Sequence, residues 1–373
     1  MGIMSATMPR TLTIFFFLLV ISGILYLGNI VVYETVAHVF GIAGQTELFL
    51  FGCVLGILST SFIIATIVGT WHYNVFTRVY YTVSSTWMGT LVYLFIASLM
   101  VSVLSVTWPS LSWTGPYLFT AAFLVSIYGI FHAQNIVVTR VPISLPNLPS
   151  SWKGRKMVWI SDVHLGQIQG LKFAQKIVAQ VSTLSPDIIF VGGDLYDGSG
   201  APDIEELTVP LKGLSAPLGT FFVTGNHEEY GDSKRFLSAI ESIGMRILQD
   251  KMVEVDGLQL VGVDYRNASD GTRFRKLLSE LSIDREKASI LLKHEPKDLA
   301  IAHEAGIHFQ ISGHTHEAQL WPLGYIARLT YKGYAYGLHR YKDMQLYISS
   351  GTGTWGPPMR VGTKSEIVLF TVS

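Results

Sequence analysis

Charge is scarce in this chain and cysteine is nearly absent. Only 14% of the 373 residues are charged, and 27 acidic side chains balance 27 basic ones, so the formal net charge is zero. Such a balance provides no global basic field, which argues against nucleic acid as a partner. The single cysteine, Cys53, lies inside an apolar run and can form no intrachain disulfide. It reads as a small buried apolar residue and says nothing firm about compartment. There is no internal repeat and no low-complexity tract, so repeat architectures are excluded. What is abundant is apolar surface: 49% of residues are hydrophobic and the mean hydropathy is +0.38, too high for an ordinary soluble domain.

The apolar surplus is concentrated at the N-terminus. Residues 11–33, "TLTIFFFLLVISGILYLGNIVVY", carry no charge, and at about 1.5 Å per residue they are long enough to cross a hydrocarbon core of about 30 Å. Three more runs, 47–70, 84–107 and 117–138, have the same character and predict four transmembrane helices within residues 1–139. The first run is too long for a signal peptide core and no small-x-small site follows it cleanly. Tyr33, Trp71, Tyr73, Tyr80, Tyr81, Trp87, Trp108, Trp113 and Tyr117 gather near the run ends, as an interfacial belt would. The span centres hold no ionisable group, so they predict an anchor, with a lipid-tail platform as an elaboration, and not a transport pathway.

Lys and Arg are missing from residues 34–46 and 108–116, whereas Arg10, Arg78, Arg140, Lys153, Arg155 and Lys156 fall on the other side of the predicted spans. The positive-inside bias therefore predicts a multi-pass cell-membrane protein with its C-terminal domain in the cytoplasm. Residues 140–151, with Pro142 and two further prolines, read as a stiff extended linker, and a second domain is expected over 152–373. There, apolar strand runs alternate with amphipathic helices, including one at about 171–182 and one near 204–212. Asp256-Gly257 marks a hairpin. The pattern predicts a layered α/β domain large enough for its own core.

Metal-ligating side chains recur where the strand runs end. "WISDVHLG" offers Asp162 and His164, and "FVGGDLYD" offers Asp194 and Asp197. "FVTGNHEE" offers Asn226, His227 and Glu228, "ILLKHEP" offers His294, and "FQISGHTHE" offers His314 and His316. In open α/β sheets sites form beyond the carboxyl ends of strands, so five runs converge on one crevice that holds metal. Alternation along a strand would place His314 and His316, two apart, on one side, with Thr315 pointing away. His303, His308 and His339 lack such placement and read as structural. Asp264 reads as a strand end.

The set D-x-H, G-G-D, G-N-H-E, K-H-E-P and G-H-T-H resembles the calcineurin-like metallophosphoesterase superfamily from Trp152 to the C-terminus. The apolar N-terminus, the Pro-rich linker and "GTGTWGPPMRVG" are similar to its membrane-anchored branch. That branch includes transmembrane metallophosphoesterases and enzymes resembling UDP-2,3-diacylglucosamine pyrophosphatases. The resemblance implies a four-layer α-β-β-α sandwich and two divalent cations, Mn first, with Fe or Zn as alternatives. It implies Asp162, His164 and His316 as ligands of one cation, Asn226, His294 and His314 as ligands of the other, and Asp194 as the bridge between them. It further implies hydrolysis of a phosphate ester or pyrophosphate with His227 as general acid. Glu228 and Asp197 would orient His227 from behind.

The segment "LWPLGYIARLTYKGYAYGLHRY" reads as a hairpin closing the sheet. It is also a candidate wall of a substrate groove near the bilayer, with Lys332 or Arg340 meeting a phosphate; Arg360 is a further phosphate candidate. An amphiphilic phosphodiester or nucleotide-linked lipid is the expected substrate class, a soluble nucleotide the alternative. An inactive membrane receptor or scaffold is the rival from another class, and the complete ligand set argues against it. The sequence leaves the oligomeric state open.

Overall fold

The computed structural model describes residues 10–198, 204–230 and 232–372. Contacts divide the chain into two compact units, residues 1–128 and 129–373. In the first unit, helices α1 (Arg10–Val39), α2 (Gln45–Trp71) and α3 (Val75–Thr107) pack together. Helix α4 (Gly115–Ala133) follows a short 3-10 turn. These four candidate spans are long and apolar enough to cross a membrane. Asn74 caps α3 by accepting from the amides of Phe76 and Thr77, while the Thr77 hydroxyl accepts the Asn74 amide in return. The aromatic belt needs one correction. Tyr81 is buried against Phe62, because α3 starts at Val75 and places it one turn and a half inside the helix packing.

The second unit is an α/β sandwich of two mixed six-stranded sheets. One runs in the order β1 (Ile136–Ile143), β12 (Ser365–Val372), β2 (Lys156–Ile160), β3 (Ile188–Val191), β4 (Thr220–Phe222), β5 (Arg246–Ile247). The other runs β10 (Gly337–Tyr341), β11 (Met344–Ile348), β9 (Phe309–Ser312), β8 (Ser289–Leu292), β7 (Leu258–Gly262), β6 (Lys251–Val255). Helices α5 (Leu171–Leu184), α6 (Ile204–Thr208), α7 (Asn226–Tyr230) and α8 (Ser233–Ser242) fall among the strands of the first sheet. Helices α9 (Tyr265–Ala268), α10 (Gly271–Glu280), α11 (Leu299–Glu304) and α12 (Gly324–Thr330) fall among those of the second.

Strand alternation builds the layers. Met157, Trp159, Ile188 and Phe190 face Leu260, Ile290, Phe309 and Ile311 in the core between the sheets. Their neighbours Val158, Ile160, Ile189 and Val191 pack on Phe173, Ile177 and Val181 of α5 and on Phe236 and Ile240 of α8. On the far side, Val261, Leu291 and Leu346 pack on Phe274 and Leu278 of α10. This is the expected α-β-β-α order. The hairpin at Asp256-Gly257 is present, both residues lying at positive φ.

The linker expected over 140–151 begins later than the sequence suggests. Residues 136–143, divided there between the fourth span and the linker, form β1 and pair in parallel with β12 over eight residues. Pro142 is tolerated because β1 is an edge strand, with no neighbour on its other side among the described residues. The stretch after β9 that predicts a closing hairpin is mixed: it gives α12, a turn and then β10 of the β10–β11 hairpin.

Candidate metal centre

Strands β2, β3 and β4 of one sheet and β8 and β9 of the other all end at one edge of the sandwich, and the next few residues of each carry the polar side chains. Asp162 and His164 follow β2, Asp194 follows β3, Asn226 opens α7 after β4, His294 follows β8, and His314 and His316 follow β9. Among the described residues, three groups have ligand atoms within 4.8 Å of one another: Asp162, His164 and His316; Asp194, His294 and His314; and His164, Asp194 and His227. Asp194 belongs to two groups and Asn226 Oδ1 joins one of them, 2.8 Å from His314 Nδ1.

The loops reach this arrangement through unusual backbone. Asp162, His164, Asp194, His314 and His316 all have φ between 49° and 70°, a region that non-glycine residues occupy rarely and at a cost of about 1–3 kcal/mol each. Strain concentrated on candidate ligands is the signature of a site held open by its surroundings. It also changes the reason why His314 and His316 share a side. Strand β9 ends at Ser312, so the turned backbone, not strand alternation, aims them together. Thr315 does point away and donates to the Ala335 carbonyl at 2.6 Å. Close approach demands glycine beside them: a Cβ on Gly225 would stand 2.1 Å from Asp194 Oδ1, and one on Gly313 2.2 Å from Asp162 Oδ2.

Outer contacts fix which ring nitrogen faces inward. His294 Nδ1–H donates to the Gly192 carbonyl at 2.7 Å, leaving Nε2 3.1 Å from Asp194 Oδ2. His316 Nε2 lies 3.0 Å from His164 Nε2 and 3.5 Å from Asp162 Oδ1. His314 turns Nδ1 inward, 3.2 Å from His294 Nε2, and Nε2 outward toward Glu295 Oε1 at 3.5 Å.

Burial, helped by neighbouring imidazoles, pushes His164 and His316 well below the ordinary histidine value and His314 down to about 4, so these three present lone pairs at neutral pH. His294 is the exception. Burial opposes its charge, but Asp194 and Asp162 together outweigh it and raise His294 to about 10, while Asp194 stays well below the carboxylate range. Asp162 is raised to about 6 by burial, against the pull of His294.

Do these residues fit a pair of cations? Nε2 of His164 faces Nε2 of His316 at 3.0 Å, and Asp162 Oδ1 lies 3.5 Å from the latter. With both imidazoles kept neutral by burial, two lone pairs and a carboxylate oxygen converge there with no proton between them, which is what cation binding requires. The seven candidate ligands offer N or O of His, Asp and Asn, a set that suits divalent transition metals and does not single out one of them.

The supporting residues are placed differently from expectation. Glu228 is fully buried and touches no atom of the His227 ring among its hydrogen bonds. Its carboxylate accepts from the amides of Asp194 and Leu195 at 2.9 Å and of Gly225 at 2.8 Å, tying the loop after β3 to the loop after β4. Asp197 does sit behind His227, through its carbonyl: His227 Nδ1–H donates to it at 2.7 Å. The His227 ring packs edge-on against His164 and, on its other side, against Trp355.

The three expected phosphate contacts separate. Arg360 is wholly buried, and its guanidinium donates to the carbonyls of Ser350 at 2.6 Å, Gly353 at 2.7 Å and His316 at 3.3 Å. It braces the His316 loop and has no face left for a substrate. Arg340 is level with Gln345 on β11, which is level with Phe309 at the start of β9, the end of the sheet away from His314. Lys332 alone is exposed near the site, next to Tyr331, whose ring packs on His314 and whose hydroxyl donates to Glu295 at 3.2 Å.

Tyr331, Glu295 and Trp355 are site neighbours that sequence reasoning does not single out, although Glu295 lies within K-H-E-P and Trp355 within the tail motif. His303, His308 and His339 pair with Asp343, Ser289 and the Tyr336 carbonyl, away from the cluster. Asp264 caps α9 through the Arg266 amide.

The model of the calcineurin-like phosphoesterase family matches residues 155–318. The chain is 32% identical over 261 residues to an uncharacterized metallophosphoesterase of Aquifex aeolicus, covering 67% of this chain and 97% of that one. It is 31% identical to an uncharacterized metallophosphoesterase of Campylobacter jejuni, with 63% of each chain covered. With a bovine transmembrane protein with metallophosphoesterase domain it shares 34% identity over 65% of this chain, and spans 59% of that protein's length. Matched along nearly the whole of the Aquifex protein and carrying the converged His/Asp cluster, the chain belongs to the calcineurin-like metallophosphoesterases.

Proposed function

We propose that this chain is a membrane-anchored hydrolase of phosphodiester or pyrophosphate bonds, acting on a phosphorylated or nucleotide-linked lipid such as a UDP-diacylglucosamine-type molecule. The observation that carries the reading is the presence in one chain of four candidate spans and a buried cluster of cation ligands. Asp162, His164 and His316 would hold one cation and Asn226, His294 and His314 the other, with Asp194 shared. Manganese is our first choice, iron or zinc the alternatives. When bound, the cations supply Lewis-acid polarisation of the phosphoryl oxygens and lower the pKa of water.

The chain's own residues do the rest. His227 takes the role of general acid. Its Nδ1–H is committed to the Asp197 carbonyl, which leaves Nε2 as the nitrogen that delivers a proton to the departing oxygen. The backbone amide of His227 donates to Asp194 Oδ1 at 2.9 Å and so locks the acid and the shared carboxylate into one frame. Glu228 holds that frame from below and Arg360 holds the His316 loop. Trp355, 39% exposed against the His227 ring, gives the leaving group an aromatic wall, and Lys332 is the one of the three expected cations that is both exposed and on the site's side of the sheet. The basic bias of the flanking loops supports a cytoplasmic catalytic unit in the cell membrane.

The test is turnover by the purified full chain in mixed micelles, with Mn supplied, on an activated aryl phosphodiester and on a UDP-linked diacyl lipid. Hydrolysis of both supports the proposal. Hydrolysis of the aryl ester and a free nucleotide but of no lipid transfers the chemistry to a soluble nucleotide. No hydrolysis of either class contradicts the enzymatic reading.

A further inference from the structure

Beyond α4, the exposed large apolar side chains of the described residues are few: Val209, Trp321, Tyr325, Ile326, Leu329, Leu338 and Trp355. Four of these seven fall within nine residues. Trp321 is 54% exposed, Tyr325 60%, Ile326 61% and Leu329 81%, so they form a patch on and beside α12 in place of the usual scatter. Residues 321–332, "WPLGYIARLTYK", contain no acidic side chain, and both basic ones, Arg328 and Lys332, are exposed. Trp and Tyr beside aliphatic side chains, rimmed by Arg and Lys, are the composition of a segment lying in the headgroup–acyl boundary of an anionic bilayer.

The surroundings of the patch argue for the same occupant. The Trp321 amide donates to the Val361 carbonyl at 2.8 Å, and the Arg360 amide, one residue earlier, donates to the Gly129 carbonyl at 2.9 Å. His132 Nε2 donates to the Thr363 carbonyl at 3.1 Å, and Ser365 Oγ to the Ala133 carbonyl at 2.9 Å. Residues 129–133, which close α4, therefore belong to the catalytic unit and sit on the 360–365 segment whose other side holds Trp321. Helix α4 is one of the four candidate spans and ends at Ala133, so the segment that holds Trp321 also holds the C-terminal end of a span.

We propose that Trp321 and α12 are a bilayer-docking element, with Trp321, Tyr325, Ile326 and Leu329 inserted at the interface and Arg328 and Lys332 meeting anionic headgroups. Docking holds the ligand loops at the surface. Arg328 reaches Glu317 Oε1 at 3.3 Å, directly after His316, and Tyr331 at the end of α12 reaches Glu295 directly after His294. The inference rests on membrane placement of the four apolar helices and is independent of the substrate.

The test uses the full chain with Cys53→Ser, so that a cysteine introduced by Leu329→Cys carries the only spin label. The protein is reconstituted in phosphatidylcholine/phosphatidylglycerol vesicles, and collisions of the label with oxygen and with a water-soluble nickel chelate are compared. Lys276→Cys on α10, whose side chain is 76% exposed, is the aqueous control. The label at 329 is expected to favour oxygen over the chelate severalfold, with the reverse at 276. Ile326→Cys, on the same patch, must agree and replaces Leu329→Cys if that variant does not fold. A label at either position that meets the chelate as freely as at 276 overturns the proposal. So does a label shielded from both agents, which would mean cover by a second copy or another protein. Insertion without turnover of any lipid would leave docking in place and remove only the lipid-substrate reading.

Discussion

Glu228→Gln replaces one carboxylate oxygen by an NH2 group and puts the frame of the site to a direct test. In the native protein one carboxylate oxygen accepts from the amides of Asp194 and Gly225 and the other from that of Leu195 and, more weakly at 3.4 Å, from that of Tyr196. A glutamine can keep its carbonyl on the first pair, which turns its NH2 toward the Leu195 N–H. One hydrogen bond to a charged acceptor, about 1.5–3 kcal/mol, is lost, and a buried donor is left facing another donor at a further cost of about 1–3 kcal/mol. Part of this is offset. Burial, and after it the charge of Asp194, raises the Glu228 carboxyl to about 7, so the neutral amide escapes some of the ionisation cost.

A net loss of about 2 kcal/mol follows, which for a domain of this size corresponds to about 4–8 °C in Tm. Because the freed amide, that of Leu195, is next in chain to Asp194, metal retention should fall with stability. Differential scanning fluorimetry and metal analysis of the purified full chain would measure both. A variant with Tm within 1 °C of the parent and undiminished metal content would refute the reasoning, since Glu228 would then not hold the two loops together.

Three other outcomes follow from the same geometry. His227→Ala should keep its bound metal and lose rate most steeply on substrates with poor leaving groups, as seen in a series of aryl phosphodiesters; loss of metal would make His227 a ligand. In chelator-treated protein His294 is held protonated by Asp194, its value raised to about 10 from 6.5, and that proton must leave when Nε2 takes a cation. Metal binding between pH 7 and 9 should therefore release close to one proton, measured by calorimetry in buffers of different ionisation enthalpy, and the release should fall as pH approaches 10. A chain beginning at residue 134 keeps β1, whereas one beginning at residue 150 strips β12 of its eight-residue partner. The shorter chain should aggregate or melt markedly lower, and equal melting of the two would show that β1 is dispensable.

Much of this was legible from composition and local motif, and the exceptions share a cause. The four spans announce themselves by uncharged length, and the ligands by chemistry repeated after each apolar strand run. Strand β1 escaped because "IVVTRVPI" continues the apolar character of the fourth span and carries Pro142. Its partner β12 is more than 200 residues away, and long-range pairing leaves no local signal. Arg360 follows two prolines in a glycine-rich tail that looks like surface, yet three carbonyls that fold around it make it an interior brace. Glu228 lies next to His227 in sequence, but its partners Asp194 and Leu195 are more than 30 residues back, so its role depends on the packing of two loops. Arg340 was misplaced for lack of register, which decides the end of the sheet on which a strand residue falls.

The central claim is a shared carboxylate holding two cations for phosphoester hydrolysis, and metal stoichiometry in parent and Asp194→Asn proteins tests it most directly. The purified full chain, loaded with Mn and desalted, should carry two metal ions per chain and hydrolyse an aryl phosphodiester, losing activity on chelation and regaining it with Mn. Asp194→Asn should retain fewer than one ion per chain and lose turnover by orders of magnitude while its Tm in the metal-free state stays near that of the metal-free parent. Two ions and near-parent turnover in Asp194→Asn would contradict the account.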